Sequence, residues 1–155
     1  MRSSVIFDVA SRAALGRRVT RRALREFAQT LESRVARGQS FDCLISGDAE
    51  LRRLNRQYRH KDYATDVLSF PASNAALPKA QRILGELAIS ADRALLQARD
   101  CGHALGDELR ILMLHGLLHL TGLDHETDDG KMARAESRWR KTFGLPDGLI
   151  ERARR

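Results

Sequence analysis

The chain has 155 residues, 43% of them hydrophobic and 30% charged, a balance that fits one water-soluble globular domain and excludes disordered and membrane-embedded classes. Twenty-seven Lys and Arg against twenty Asp and Glu leave a net charge of +7, which favours polyanionic partners, nucleic acid foremost. Cys43 and Cys101 stand far apart without a CxxC pair, so neither a disulfide framework nor a cysteine zinc centre is expected.

The start, MRSSVIFDVASRAALGRR, has no apolar run long enough for a signal peptide, because Asp8 interrupts the only candidate. No stretch approaches a membrane span, and the cytoplasm is the expected location. VIFDV (5–9) and CLIS (43–46) read as strands. Between them Ala23, Leu24, Phe27, Leu31 and Val35 recur at helical spacing, with Gly38 as the stop. Asp48 is placed to cap a helix carrying Leu51, Leu54 and Tyr58. DVLSFP (66–71) predicts a strand ended by Pro71, SNAALPKAQ (73–81) a loop, and GELAIS (85–90) a further strand. Ser90 then caps ADRALLQARD, and Gly102 ends that helix. An apolar helix follows from about Asp107 to Thr121, stopped by Gly122. The last helix aligns Met132, Ala135, Trp139 and Phe143 on one stripe before Gly144 and Pro146, leaving a basic tail, ERARR. This mixture predicts a single α+β domain over residues 1–155 with a small mixed sheet, whose strand order the sequence does not reveal.

HGLLHLTGLDH (115–125) holds three of the five histidines. His115 and His119 lie one helical turn apart on one face, the spacing that presents two imidazoles to one ion. Gly122 can take a left-handed conformation and turn the chain back, bringing His125 towards the same face. Three nitrogen ligands leave a tetrahedral ion one open position, the habit of catalytic zinc; nickel and copper suit the same donors. The spacing also matches the long metzincin motif, but Gly116 stands where HExxH proteases carry their general-base glutamate, so the peptidase reading loses its base. Asp124 and Glu126 flank the third histidine and are candidates for fixing an imidazole tautomer, the alternative being solvated residues of a polar turn, which is the preferred reading for Glu126.

LRRLNRQYRHK (51–61) places Arg52, Arg56 and Arg59 in a row along one helix face, with Arg53, Lys61 and Tyr58 nearby. Guanidinium groups pair with phosphate oxygens, and Tyr58 either stacks on an unpaired base or belongs to the core. A solvated basic face is the alternative for Arg52 and Arg53, and His60 is a candidate phosphate contact. Thr65 and Asp66 suit local backbone hydrogen bonds that pin the loop into the next strand.

With those residues in view, HGLLHLTGLDH resembles the signature of the YbeY family, bacterial metal-dependent endoribonucleases of ribosomal RNA maturation. NRQYRHKDYATDVLSFP (55–71) is similar to the family's second signature and GELAIS to its characteristic strand, so the resemblance covers about residues 51–130. It implies that His115, His119 and His125 bind the metal, usually zinc, and that His115 and Arg59 are the catalytic residues. It implies an α+β domain with the metal at one edge of a basic cleft, and cleavage of single-stranded RNA in small-subunit ribosomal RNA maturation and ribosome quality control. The implied partners are ribosomal RNA and the small subunit or its assembly factors, with no membrane and no small-molecule cofactor. Leu123 departs from the aromatic residue common at that position, and the segment after Trp139 does not follow the family's end.

The expected chemistry is metal-assisted phosphodiester hydrolysis, with Arg59 steadying charge at phosphorus. Attack by the ribose hydroxyl, giving cyclic phosphate, is the alternative route. Glu86 and Asp124 are candidates for the missing base. Two rival readings remain: a non-catalytic metal-binding ribosome-assembly or RNA-binding factor, and a hydrolase of small molecules or peptides, which the basic block disfavours.

Overall fold

The computed structural model describes residues 2–73, 76–124 and 126–153, with the side chain of Lys79 also left aside. Four strands form one sheet: β1 (Ser4–Phe7), β2 (Ser40–Ser46), β3 (Val67–Pro71) and β4 (Ile83–Ser90), in the order β1-β2-β4-β3. The first three neighbours run parallel and β3 runs antiparallel to β4, so the sheet is mixed. The helices are α1 (Arg12–Leu15), α2 (Arg21–Arg34), α3 (Asp48–Arg59), α4 (Ala91–Cys101), α5 (Leu105–Leu120), α6 (Lys131–Thr142) and α7 (Leu149–Ala153). The short α7 is absent from the sequence reading, which left that stretch as a tail. Short 3-10 turns at Val9–Ser11 and Lys79–Gln81 complete the described elements.

The caps explain most boundaries. Thr20 accepts the Ala23 amide ahead of α2, and Ser90 accepts the Arg93 amide ahead of α4. Asp48 is not the cap of α3: Gly47 takes that position, and Asp48 sits in the first turn, where its carboxylate faces the positive end of the helix. Its Oδ1 accepts from the Ser90 hydroxyl at 2.7 Å and from Arg93 at 3.3 Å, tying α3 to α4. Asp66 pins the entry to β3 as expected, its Oδ1 accepting the Val67 amide at 2.7 Å and its carbonyl the Ser90 amide at 2.9 Å.

Strand alternation gives the sheet two unlike faces. Val5, Cys43 and Leu87 stand in register on one, with Ile45 and Ile89 beside them, all buried under the main core. The other face carries Leu68, Ala88 and Phe70, covered by Leu51 and Leu54 of α3. Glu86 shares that second face, exposed beside Phe70 in the register of β3 and β4.

The helix α5 occupies the centre of the fold. Twelve of its residues are buried, from Leu105 to Leu120, which is why its sequence is apolar on nearly every side. It packs on β3 and β4 and is surrounded by α2, α4 and α6. At Gly116 a Cβ would lie 2.8 Å from Leu87 Cδ2 and 3.2 Å from Val67 Cγ2, so the glycine sets how closely the helix approaches the sheet. The Ser69 hydroxyl donates to the Gly116 carbonyl at 3.0 Å across that contact. On the far side Phe27 meets Phe143 edge-on and Trp139 stacks on Phe143, joining α2 to the end of α6. No described helix is long and apolar enough to cross a membrane.

The two cysteines sit in opposite environments. Burial, with the Asp42 carboxylate second, pushes the Cys43 thiol up to about 12, whereas Cys101 is exposed. Titration of the native protein with a thiol reagent should therefore consume one equivalent promptly and a second only in denaturant. Prompt reaction of both would show that β2 is not held in the core.

Candidate metal and RNA site

The C-terminal end of α5 opens onto a cleft of about 510 Å³. His115 and His119 enter it from the helix, Arg59 from the end of α3, and Asp66, Val67, Ser69 and Pro71 from β3 and its approach. Leu123, Asp124, Glu126 and Leu149 close the other side. The helical spacing does what the sequence predicted: the two imidazoles lie 5.0 Å apart between ring centroids, at 78° to each other. Gly122, at φ 100°, makes the turn that directs the chain back along the cleft, a conformation a residue with a Cβ rarely adopts. His125 lies outside the described residues.

Hydrogen bonds orient both rings. His119 Nδ1 lies 3.1 Å from the Leu123 carbonyl, which only accepts, so Nδ1 carries the proton and Nε2 the lone pair. His115 Nδ1 lies 2.6 Å from Glu136 Oε2, while Glu136 Oε1 accepts the Ile150 amide at 2.9 Å. A carboxylate facing donors at both oxygens likewise accepts from His115 Nδ1, which leaves Nε2 as the ring nitrogen turned away from Glu136. These are the orientations in which imidazoles ligate through Nε2, and carboxylate and carbonyl partners behind the ring are the usual means of fixing them. Among the described residues these two imidazoles are donors of the type that suits a transition metal ion, and no described group of three such side chains assembles.

Glu136 was missed in the sequence reading, which treated α6 as an apolar stripe. The signal was present: it follows Met132 by four positions, so it is a lone carboxylate on the face that the core buries. It is fully buried. Asp124 and Glu126, the expected orienting groups, line the cleft instead, with Asp124 Oδ1 accepting the Glu126 amide.

The remaining candidates separate cleanly. Arg59 reaches the cleft and donates from Nη2 to the Ser69 carbonyl at 3.3 Å. Arg52 does not extend that row, because it forms a two-pronged pair with Asp62 and holds that carboxyl below its usual range. Arg53 is held by Glu50 and Gln57. Tyr58 is exposed and rests edge-on against Phe70, on the sheet face opposite α5. Glu86 shares that face and is excluded from the cleft by strand alternation. His60 is the left-handed cap that ends α3, and His103 contacts buried Glu108 at 2.6 Å. Among the described residues the cleft's charged lining is Arg59 against Asp66, Asp124 and Glu126, so this lining does not make the basic surface that the resemblance implied.

A family model described as Endoribonuclease YbeY matches residues 10–144. Endoribonuclease YbeY of Solibacter usitatus is 58% identical over 132 residues, covering 85% of this chain and 85% of its own. That of Koribacter versatilis is 51% identical, covering 75% and 72%, and that of Helicobacter pylori strain Shi470 is 44% identical, covering 77% and 82%. The solution structure of TM1509 from Thermotoga maritima superposes with a TM-score of 0.58 at 25% identity, covering 92% of this chain and 89% of that one. The chain belongs to the endoribonuclease YbeY family. The match passes Trp139 and runs to Gly144, beyond the stretch that the motifs alone suggested.

Two glycines test the site. Replacing Gly116 with Ala should cost about 1–3 kcal/mol of stability, read by urea unfolding, because Leu87 and Val67 must yield to the new methyl. A Cβ at Gly148 would overlap the Glu136 carboxylate. Gly148→Ala should therefore weaken metal binding by about 10- to 100-fold, measured by competition with a chromogenic chelator, while far-UV dichroism keeps its native form.

Proposed function

We propose that this chain is a metal-dependent endoribonuclease that cuts single-stranded RNA, with zinc held by His115, His119 and His125, and that it acts in small-subunit ribosomal RNA maturation and ribosome quality control. Family membership supports the nuclease activity. The observation that carries the metal reading is the pair of imidazoles one turn apart whose Nδ1 protons are both donated away from Nε2. A bound ion would supply Lewis acidity to a phosphoryl oxygen and acidify a water.

The chain's own residues prepare the rest. Glu136 and the Leu123 carbonyl hold the two rings, so ligation demands little rearrangement. Arg59 is steadied at the cleft by the Ser69 carbonyl and keeps other N–H groups for phosphate oxygens, where it would offset charge building at phosphorus. Asp66 is held by the Val67 amide and by Gln97, which makes it a fixed wall. Of the two carboxylates considered as a base, Asp124 lines the cleft and Glu86 does not. A cleft of about 510 Å³ has room for an unpaired nucleotide.

The decisive comparison sets the wild type against His115→Ala and Arg59→Glu on a single-stranded RNA, with metal content measured on each protein. His115→Ala should lose metal and cleavage together. Arg59→Glu should retain metal and lose cleavage by about 100-fold or more. Undiminished cutting by metal-free His115→Ala would place the activity elsewhere. A metal-loaded wild type that binds RNA without cutting it would establish the assembly-factor reading instead.

A further inference from the structure

Among the described residues the cleft lining holds one arginine against three carboxylates, so even a divalent ion leaves it without the excess positive charge that grips a polyanion. On α3, Arg52 and Arg53 are already paired with Asp62 and Glu50, which leaves Arg56 and Arg59 outside any ion pair among the described residues. The helix α6 differs. Arg134, Arg138 and Lys141 follow one another at steps of four and three, all exposed along one side of a hollow of about 790 Å³. Among the described residues none of the three is in an ion pair with a carboxylate: Arg134 donates to the Asp129 carbonyl, and Arg138 lies over the Trp139 ring. Two carboxylates line the same hollow: Glu151 is gripped by Arg140 at 2.8 and 2.9 Å, which leaves Asp129 as the one set against the three cations among the described residues.

The hollow adjoins the cleft. Leu149 lines the cleft and Ile150 the hollow, and the loop after α5 contributes Asp124 and Glu126 to one and Asp129 and Gly130 to the other. The row runs about 10 Å along the helix. Ala133 and Ile150, both nearly buried, form the apolar floor of the hollow beneath the exposed cations. Cations beside an apolar surface suit a single strand, which presents phosphates on one side and unpaired bases on the other.

Resting on the nuclease reading above, we propose that Arg134, Arg138 and Lys141 form a phosphate track on α6 that holds single-stranded RNA continuing out of the cleft. The track supplies affinity for long RNA, and the cleft handles the nucleotides being cut.

The test compares R134Q/R138Q/K141Q with R12Q/R17Q/R22Q, which removes the same charge from exposed positions elsewhere. Binding of uridine oligonucleotides of about twenty and about four nucleotides to metal-loaded protein is followed by fluorescence anisotropy before turnover, across a salt series. The α6 variant should bind the long strand about tenfold more weakly at about 0.1 M salt, with the log–log salt slope shallower by about 2. Its loss on the short strand should stay below about twofold, and the matched variant should lose less than about threefold on the long one. An equal loss in the matched variant, or an unchanged salt slope, overturns the track. Because the readout is binding, a wild type that binds long RNA in this α6-dependent way without cutting it refutes the nuclease reading and leaves the track standing.

Discussion

One buried carboxylate joins three helices at the place where the site is built. Glu136 comes from α6, accepts from His115 Nδ1 on α5 with one oxygen, and accepts the first-turn amide of α7 with the other. A carboxylate left bare in an apolar interior is strongly unfavourable, so each donor is needed to keep it there. Gly148 stands so close that a Cβ there would overlap the carboxylate. The orientation of a cleft imidazole is thereby coupled to the docking of the C-terminal helix. A second buried carboxylate reinforces that docking: Arg152 of α7 pairs with Glu108 of α5 at 3.0 and 3.1 Å, and His103 contacts the same group.

The backbone around this junction is arranged to leave α5 in the middle. A parallel β1-β2-β4 core, buried on the α5 side, demands continuous apolar strands there, and Val5, Cys43, Ile45, Leu87 and Ile89 meet that demand. The helix then presses close enough that Gly116 has no room for a side chain. A glutamate at this position, the base of HExxH enzymes, would be driven into Leu87 and Val67 rather than into the cleft. The same two-histidine spacing therefore serves a different chemistry here because the following position faces the sheet.

Charge is distributed with similar consequence. A net charge of +7 says nothing about where free cations stand. On α3 two of the five cations of the most conspicuous basic block, Arg52 and Arg53, are neutralised by Asp62 and Glu50, while Arg59 reaches the cleft. Basic residues of α6, scattered in the sequence among Met132, Ala135 and Trp139, emerge on one exposed side only once that helix is docked.

The sequence by itself determined whatever depends on local periodicity and local sterics. It determined the α+β class, the caps at Ser90 and Gly102, the turn at Gly122, and the pairing of His115 with His119 on one face, because 3.6-residue and two-residue repeats and the freedom of glycine act within a few positions. It also carried the motifs by which the family is recognised. Only the tertiary structure decided what depends on distant segments meeting. The sheet order, the choice of Glu136 rather than Asp124 or Glu126 behind His115, the exile of Glu86 to the opposite face, and the capture of Arg52 by Asp62 are of this kind. Each is settled by burial and pairing across the fold, where removing a charge from water is tolerated only beside a partner that the local sequence does not name.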